Sequence, residues 1–242
     1  MRGGSSGMCP CERATGEGCP SGSIETAAGR VPCVAARGTW HATLGAAAVR
    51  WGIGRRRYTV PPGLVAVGTP TPDSPLVVTA NYQLSLDHVR WALEGMDGWV
   101  LVLDTKGINV WCAAGKGTFG TDELVARLES SGVAKVVGHK TLILPQLGAP
   151  GVAAHEVSRR TGFKVVYGPV YAKDLPAFLH AGMKATPEMR RVGFTLRERL
   201  AVVPVVKNGV GCAGGILNAK LGRTSSCCGE SQGCCCSSEA AK

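Results

Sequence analysis

Cys112 is the only thiol between Val34 and Gly211 in a chain that carries eleven cysteines. It sits in the string Asp104-Thr105-Lys106-Gly107-Ile108-Asn109-Val110-Trp111-Cys112-Ala113-Ala114-Gly115-Lys116. A thiolate is a soft ligand suited to polarizable metals. Lys106, Lys116 and the helix-forming residues that follow Cys112 favour its ionised form. Ala113, Ala114 and Gly115 leave room beside it for a bulky planar partner. Two other readings stand next to metal ligation. A lone core cysteine is commonly a small buried hydrophobe. A redox or acyl-transfer role, with His139 or His155 as base, has no local signature here. Gly115-Lys116 near Thr118 invites a phosphate-loop reading, which fails on spacing. That motif needs Gly five positions before the pair and Ser or Thr directly after it, where this chain has Val110 and Gly117.

The other thiols are bunched towards the two ends. Cys227-Cys228 and Cys234-Cys235-Cys236 suit a soft metal, since Hg(II) needs only two thiolates. The alternative is a low-complexity tail without a site, because five thiols with no ordered His or carboxylate define no geometry. Cys9, Cys11, Cys19 and Cys33 match no standard zinc or iron–sulfur spacing. Met1 to Arg30 holds no continuous apolar core of a signal peptide. The expected compartment is therefore the reducing cytoplasm, where clustered thiols read as metal ligands before disulfides.

The 242 residues are 45% hydrophobic, enough for one sizeable core, while aromatics make up only 5%. Aromatic scarcity and 34 glycines favour a glycine-turned α/β domain over a stacking platform for nucleic acid. The net charge of +10 is concentrated in Arg55-Arg56-Arg57, Arg159-Arg160, Arg190-Arg191 and Arg197/Arg199. Such clusters attract polyanions or simply form a solvated basic surface. No nucleic-acid motif accompanies them, so nucleic acid is not an expected partner. Leu200 to Val206, with Pro204 inside, is too short to span a bilayer.

The elements that must position Cys112 alternate regularly. Residues 1–38 lack helical or strand periodicity and are expected to be without fixed structure. Residues 40–57 are weakly amphipathic and could form a helix before Pro61-Pro62-Gly63 forces a turn. Leu76–Ala80, Trp99–Leu103, Ala134–Gly138 and Lys164–Tyr167 read as strands. Helices are expected over Ser85–Glu94 and, with Thr121 as N-cap, to about Ser130. A third helix would open at Gly148-Ala149-Pro150-Gly151 and close at Gly162, and a fourth would run from an Asp174 cap to Gly182. This is the pattern of a Rossmann-like α/β fold, a parallel sheet with helices on both faces, flanked by flexible Cys-rich tails. Its ligands lie beyond the carboxyl ends of the strands, which is where 104–117 falls. The domain expectation is an N-terminal Cys/Gly-rich segment 1–38, an α/β domain 39–206 and a Gly/Cys-rich tail 207–242.

Asn109-Val110-Trp111-Cys112-Ala113-Ala114-Gly115-Lys116 resembles the cap-helix motif of the mercury-methylation corrinoid proteins of the HgcA family. Arg50-Trp51-Gly52-Ile53-Gly54-Arg55, Val78-Thr79-Ala80-Asn81-Tyr82, Leu103-Asp104-Thr105-Lys106-Gly107 and Leu144-Pro145-Gln146-Leu147-Gly148-Ala149-Pro150-Gly151 extend the resemblance over roughly 40–205. It implies a corrinoid (cobalamin) binding domain related to the corrinoid iron–sulfur protein of the acetyl-CoA pathway. Cys112 would be the lower axial cobalt ligand. The methyl group would come from a methyltetrahydrofolate-linked donor and pass to Hg(II), and the ferredoxin-like protein HgcB would return the cobalt to its reduced state. A thiolate below cobalt donates electron density, which helps a methyl group leave towards an electrophilic metal.

Asn109 is expected to fix the loop, and Trp111 to pack under the corrin or to be a core aromatic. Thr79, Asp104, Thr105 and the Gly148, Ala149, Pro150, Gly151 loop are expected as wall and hydrogen-bond donors. The family resembled continues into a membrane-spanning region that does not follow Val206 here, so membrane association would come through a partner. The expected activity is a corrinoid-dependent methyltransferase acting on mercury. Its alternatives are a methyl-carrier corrinoid protein of one-carbon and acetyl-CoA metabolism, and a soft-metal thiol-binding protein without catalysis.

Overall fold

The computed structural model describes residues 22–36 and 58–193. The described elements all belong to one compact unit, residues 1–40 with 58–191, and a second unit, 41–57 with 192–242, lies almost wholly outside them. The helix expected over 40–57 and the cysteines at 9, 11, 19, 227, 228, 234, 235 and 236 fall outside the described residues.

Among the described residues seven strands form one sheet. In chain order they are β1 (Ser23–Thr26), β2 (Gly29–Val34), β3 (Gly63–Val67), β4 (Leu76–Ala80), β5 (Gly98–Leu103), β6 (Thr141–Leu144) and β7 (Lys164–Tyr167). The helices are α1 (Gln83–Ala92), α2 (Val110–Gly115), α3 (Thr121–Ser130), α4 (Ala154–Thr161) and α5 (Leu175–His180). The spatial order is β1-β2-β3-β5-β4-β6-β7.

β5, β4, β6 and β7 are mutually parallel. β4 and β5 are buried at every position, as central parallel strands covered on both faces must be. The sheet as a whole is mixed, because β3 joins β5 antiparallel and β1 joins β2 antiparallel. Two cores result, one on each face. Leu124, Leu128 and Val157 of α3 and α4 pack on Leu76, Val78, Leu101 and Leu103. Leu86 and Val89 of α1 and Phe178 of α5 pack on Val77, Val100, Val102 and Ile143. The sheet is thus covered by helices on both faces, an α/β fold of the Rossmann-like kind.

The chain leaves β4 through α1 on one face to reach β5, then crosses by α3 on the other face to β6. Right-handed crossovers demand this change of face when the direction of winding reverses. The reversal lies between β4 and β6, which makes that gap the topological switch point. Among the described residues β4 and β6 share one registered pair, Val77↔Ile143, whereas β4 and β5 stay in register from Leu76↔Trp99 to Ala80↔Leu103.

Several expectations are corrected. Ala134–Gly138 is not a strand. Gly132, in the left-handed region at φ 61°, ends α3, and Val133–Lys135 forms a single 3-10 turn. Val133, Val136 and Val137 are buried in the core on one face of the sheet, and the strand is Thr141–Leu144. Gly148–Gly151 belongs to a 3-10 segment, Gln146–Gly151, and the helix starts only at Ala154. Thr121 is the first helical residue of α3 and not its cap. Gly120 is the cap, and the Thr121 hydroxyl accepts from the Ala153 N–H at 2.9 Å, tying the two helix starts together. Within the segment expected to lack fixed structure, Ser23–Val34 forms the β1–β2 hairpin, and Val31 is buried in the core.

Candidate functional site

The segment between β5 and α2 is held from below by Asn81, the residue after β4. Asn81 is buried, and its Oδ1 accepts from the Thr105 N–H at 3.1 Å and the Gly107 N–H at 2.9 Å. The Thr105 hydroxyl lies 2.8 Å from Asn81 Oδ1 and 2.6 Å from the Ile108 carbonyl, sharing one proton between two acceptors. Asn81 Nδ2 donates to Asp104 Oδ1 at 3.2 Å. Asp104 in turn accepts from the Lys106 N–H at 3.1 Å and pairs with Lys106 Nζ at 2.5 Å. That hydrogen bond with Lys106 holds the Asp104 carboxyl below its ordinary range, against the opposing effect of partial burial. Lys106 takes φ 58°, and Gly107 follows at φ 71°, where a Cβ would lie 2.5 Å from Thr59 Cγ2. Only glycine fits that position without displacing Thr59.

This loop delivers Asn109 to the start of α2. The Asn109 side chain caps the helix by accepting from the Cys112 N–H at 2.9 Å. Ala113 and Ala114 turn inwards and are buried, while Trp111 is 64% exposed and Cys112 is half-buried. Cys112 is a reduced cysteine, outside any disulfide. Gly115 and Lys116 are exposed at the helix end. Beneath α2 the turn Gln146–Gly151 packs closely. A Cβ on Gly151 would collide with the Phe119 carbonyl and one on Gly148 would lie 2.5 Å from the Phe119 ring. These glycines therefore serve the close approach of α2 and Phe119 to the turn.

Beside α2 a cleft of about 460 Å³ opens at the carboxyl ends of β4 and β6, the switch point of the sheet. Its floor is apolar and buried, with Val77, Val78, Val89, Ile143, Leu144 and Leu175. Asn109, Val110 and Trp111 form one wall. Pro145 and Leu147 after β6, and the chain from Gly168 to Lys173 after β7, form the opposite side. Thr79 lines it as expected. Cys112, Asp104, Thr105 and Gly148 to Gly151 are not among its lining residues; Asp104 and Thr105 hold the loop, and the glycines support α2.

Sequence reasoning missed Asn81, Ser85, His88, Tyr171 and Lys173. Asn81 stood within a quoted motif, and its place directly after a buried apolar strand was the available signal. The others reach the cleft only through the topology. Among the described residues no group of three or more His, Cys, Asp or Glu side chains forms a metal site. No described helix is long and apolar enough to cross a membrane.

An open α/β sheet with a mostly apolar crevice at its switch point is of the doubly wound class, whose ligands sit at that position. A family model described as CO dehydrogenase/acetyl-CoA synthase delta subunit matches residues 54–179. The chain belongs to that family. It is 32% identical over 127 residues to the acetyl-CoA decarbonylase/synthase complex subunit gamma of Archaeoglobus fulgidus, covering 52% of this chain and 27% of the relative. The corresponding subunit of Methanopyrus kandleri is also 32% identical over 127 residues, with the same shares of 52% and 27%. Subunit gamma 2 of Methanosarcina thermophila is 34% identical over 116 residues, covering 46% of this chain and 24% of the relative. The chain spans about a quarter of the length of the curated relatives it matches.

Proposed function

We propose that this chain is a corrinoid-binding methyl carrier of one-carbon metabolism, working within a larger assembly as the complex subunits that it resembles are named to do. The observation that carries the reading is the switch-point cleft walled by α2, the helix on which Cys112 stands. The residues fit the group. An apolar floor and an exposed indole suit part of a large planar macrocycle, and the half-buried thiol that follows Trp111 on α2, outside the cleft lining, suits a soft metal. Among the described residues no group of three or more His, Cys, Asp or Glu side chains forms at Cys112, so a metal there would have to bring ligands with it.

When bound, the corrinoid supplies a cobalt centre that accepts and releases a methyl group. The protein's part is placement. Asn109 fixes the first turn of α2 and with it the Cys112 backbone, whose thiol would hold the cobalt. Trp111 and Val110 would pack against the ring from the cleft wall, and Thr79 would offer a hydroxyl at the floor. Asn81, Asp104 and Thr105 hold the loop from beneath, and Gly148 and Gly151 let α2 settle on its support.

Similarity to acetyl-CoA decarbonylase/synthase subunits favours the methyl-carrier reading over direct transfer to Hg(II). The string Asn109 to Lys116 is what favours the mercury acceptor, with its HgcB reductant, as a second reading. Reconstitution with hydroxocobalamin tests the first step. A bound corrinoid with a visible spectrum changed by Cys112→Ala is expected, and failure of the wild type to retain corrinoid would sink the proposal. Methyl transfer assayed against Hg(II), a thiol and a nickel acceptor then separates the two acceptors.

A further inference from the structure

At the amino ends of the strands, away from the cleft, one imidazole joins β6 to the chain that enters β4. His139 Nε2 lies 2.9 Å from the Ser74 carbonyl, and its Nδ1 accepts from the Thr141 N–H at 3.3 Å. A carbonyl oxygen only accepts and a peptide N–H only donates, so the two contacts leave one arrangement of protons. Nε2 carries the hydrogen and Nδ1 is bare, which is the neutral Nε2–H tautomer. An imidazolium has a hydrogen on both nitrogens and cannot accept from Thr141. The contact stands where the sheet has little other pairing. Among the described residues β4 and β6 share the single registered pair Val77↔Ile143, and the Gly138 N–H adds a bond to the Pro72 carbonyl at 2.8 Å. The turn that receives His139 is itself fixed, since Trp99 Nε1 donates to the Thr71 carbonyl and the Thr71 N–H to Ser74 Oγ, both at 2.9 Å.

We infer that His139 is an acid-sensitive clasp: its neutral ring joins the start of β6 to the turn before β4, and its protonation releases β6 there. The proton comes from solvent and goes to Nδ1, where it takes the place of the Thr141 N–H. The clasp is therefore closed while the ring is neutral and opens as pH falls through the ring's titration. The charged groups on the neighbouring elements are Asp73 of the turn, Asp97 before β5, Lys135 of the 3-10 turn, Lys140 beside the ring and Lys164 of β7. All five are exposed, whereas His139 is half-buried. The three lysines disfavour a positive ring and the two carboxylates favour one, each weakened by solvent. The device stands whether or not the cleft takes a corrinoid.

The test is NMR on the full chain with its histidine rings labelled with nitrogen-15. At neutral pH His139 is expected to show Nε2 as the protonated nitrogen and Nδ1 as the bare one. Between about pH 8 and 5, the interval in which histidine changes charge, the Thr141 amide should shift together with the His139 ring. Its protection factor against hydrogen exchange should fall about two- to tenfold over that interval, the size of one net hydrogen bond. Val100 and Leu101 of β5, away from the clasp, should keep their protection. In His139→Gln, which has no titrating group at this position, the Thr141 amide should no longer respond to pH. A ring with its hydrogen on Nδ1 at neutral pH would overturn the inference. So would a wild-type Thr141 amide that neither shifts nor loses protection, or one that responds equally in His139→Gln.

Discussion

Asn81, at the carboxyl end of β4, accepts through one oxygen from both the backbone N–H of Thr105 at 3.1 Å and its hydroxyl at 2.8 Å. Thr105 is fully buried just past the end of β5. The neighbouring central strands are therefore locked together at the point where the chain leaves them for α2. The same oxygen accepts from Gly107, so a single side chain sets the path of the whole loop.

Asn81→Ala strands the buried donors of Thr105 and the half-buried N–H of Gly107 with nothing to replace the acceptor. Leaving such groups unsatisfied costs roughly 1–3 kcal/mol, and two donors put the loss near the top of that range. Chemical denaturation should register it as a lower midpoint with an unchanged slope. A loss under about 0.5 kcal/mol, the size of an ordinary surface substitution, would show that the loop is held elsewhere.

Much of this arrangement was legible in the sequence, and the boundary is instructive. β4 and β5 announce themselves as continuous apolar runs, since central parallel strands carry no polar face. β6 did not, because Val136-Val137 and Leu142-Ile143-Leu144 are equally apolar and only tertiary pairing decides which run is the strand. β3 was hidden behind Pro61-Pro62, which reads as a turn although the strand begins at the very next residue, Gly63. The Cys112 helix could be placed from its motif. The far wall of the cleft could not, because Tyr171 and Lys173 reach it only through the packing of β6 against β7 and of the 172–174 turn against α1.

The Asp104–Lys106 pair gives the loop a pH dependence of definite sign. Lys106 lowers the folded-state pKa of Asp104, so the pair's stabilisation is present above the unfolded carboxylate's pKa and fades as pH falls through the lower, folded one. The Lys106 amide, which donates to Asp104 Oδ1, should report this in an NMR titration with a midpoint below the ordinary aspartate value. In Lys106→Met that midpoint should rise. An unchanged midpoint would mean that the exposed ammonium does not govern the carboxyl.

Asp87 and Arg90 of α1 form a buried ion pair at 2.8 Å, with Arg90 also donating to the Ala35 carbonyl at 2.9 Å. Asp87 is fully buried and its Oδ2 has no hydrogen-bond partner among the described residues. Removing one member leaves an uncompensated charge in the core, so Arg90→Met should cost about 3–5 kcal/mol. The double variant Asp87→Leu with Arg90→Met should recover most of it. Denaturant midpoints for the three proteins check this, and a double variant no better than Arg90→Met would show that the arginine acts through Ala35.

Trp111, exposed on α2, and Gly151, packed against Ala114 and Phe119, should separate contact from support. Trp111 is 64% exposed and packs little against the protein, so Trp111→Ala should change stability by less than about 0.5 kcal/mol. If its indole covers a bound corrinoid, the same change should weaken cobalamin binding severalfold. Gly151→Ala does the reverse at the start. The new methyl collides with the Phe119 carbonyl beneath α2, and relieving such overpacking costs about 1–3 kcal/mol. Cobalamin affinity should then fall as well, because α2 carries Cys112 and Trp111 with it when it shifts. Stability and affinity should therefore drop together in Gly151→Ala and part company in Trp111→Ala. Dialysis and denaturation on both variants measure this directly. A Trp111→Ala protein that binds cobalamin as tightly as wild type would place the corrinoid away from this wall of the cleft.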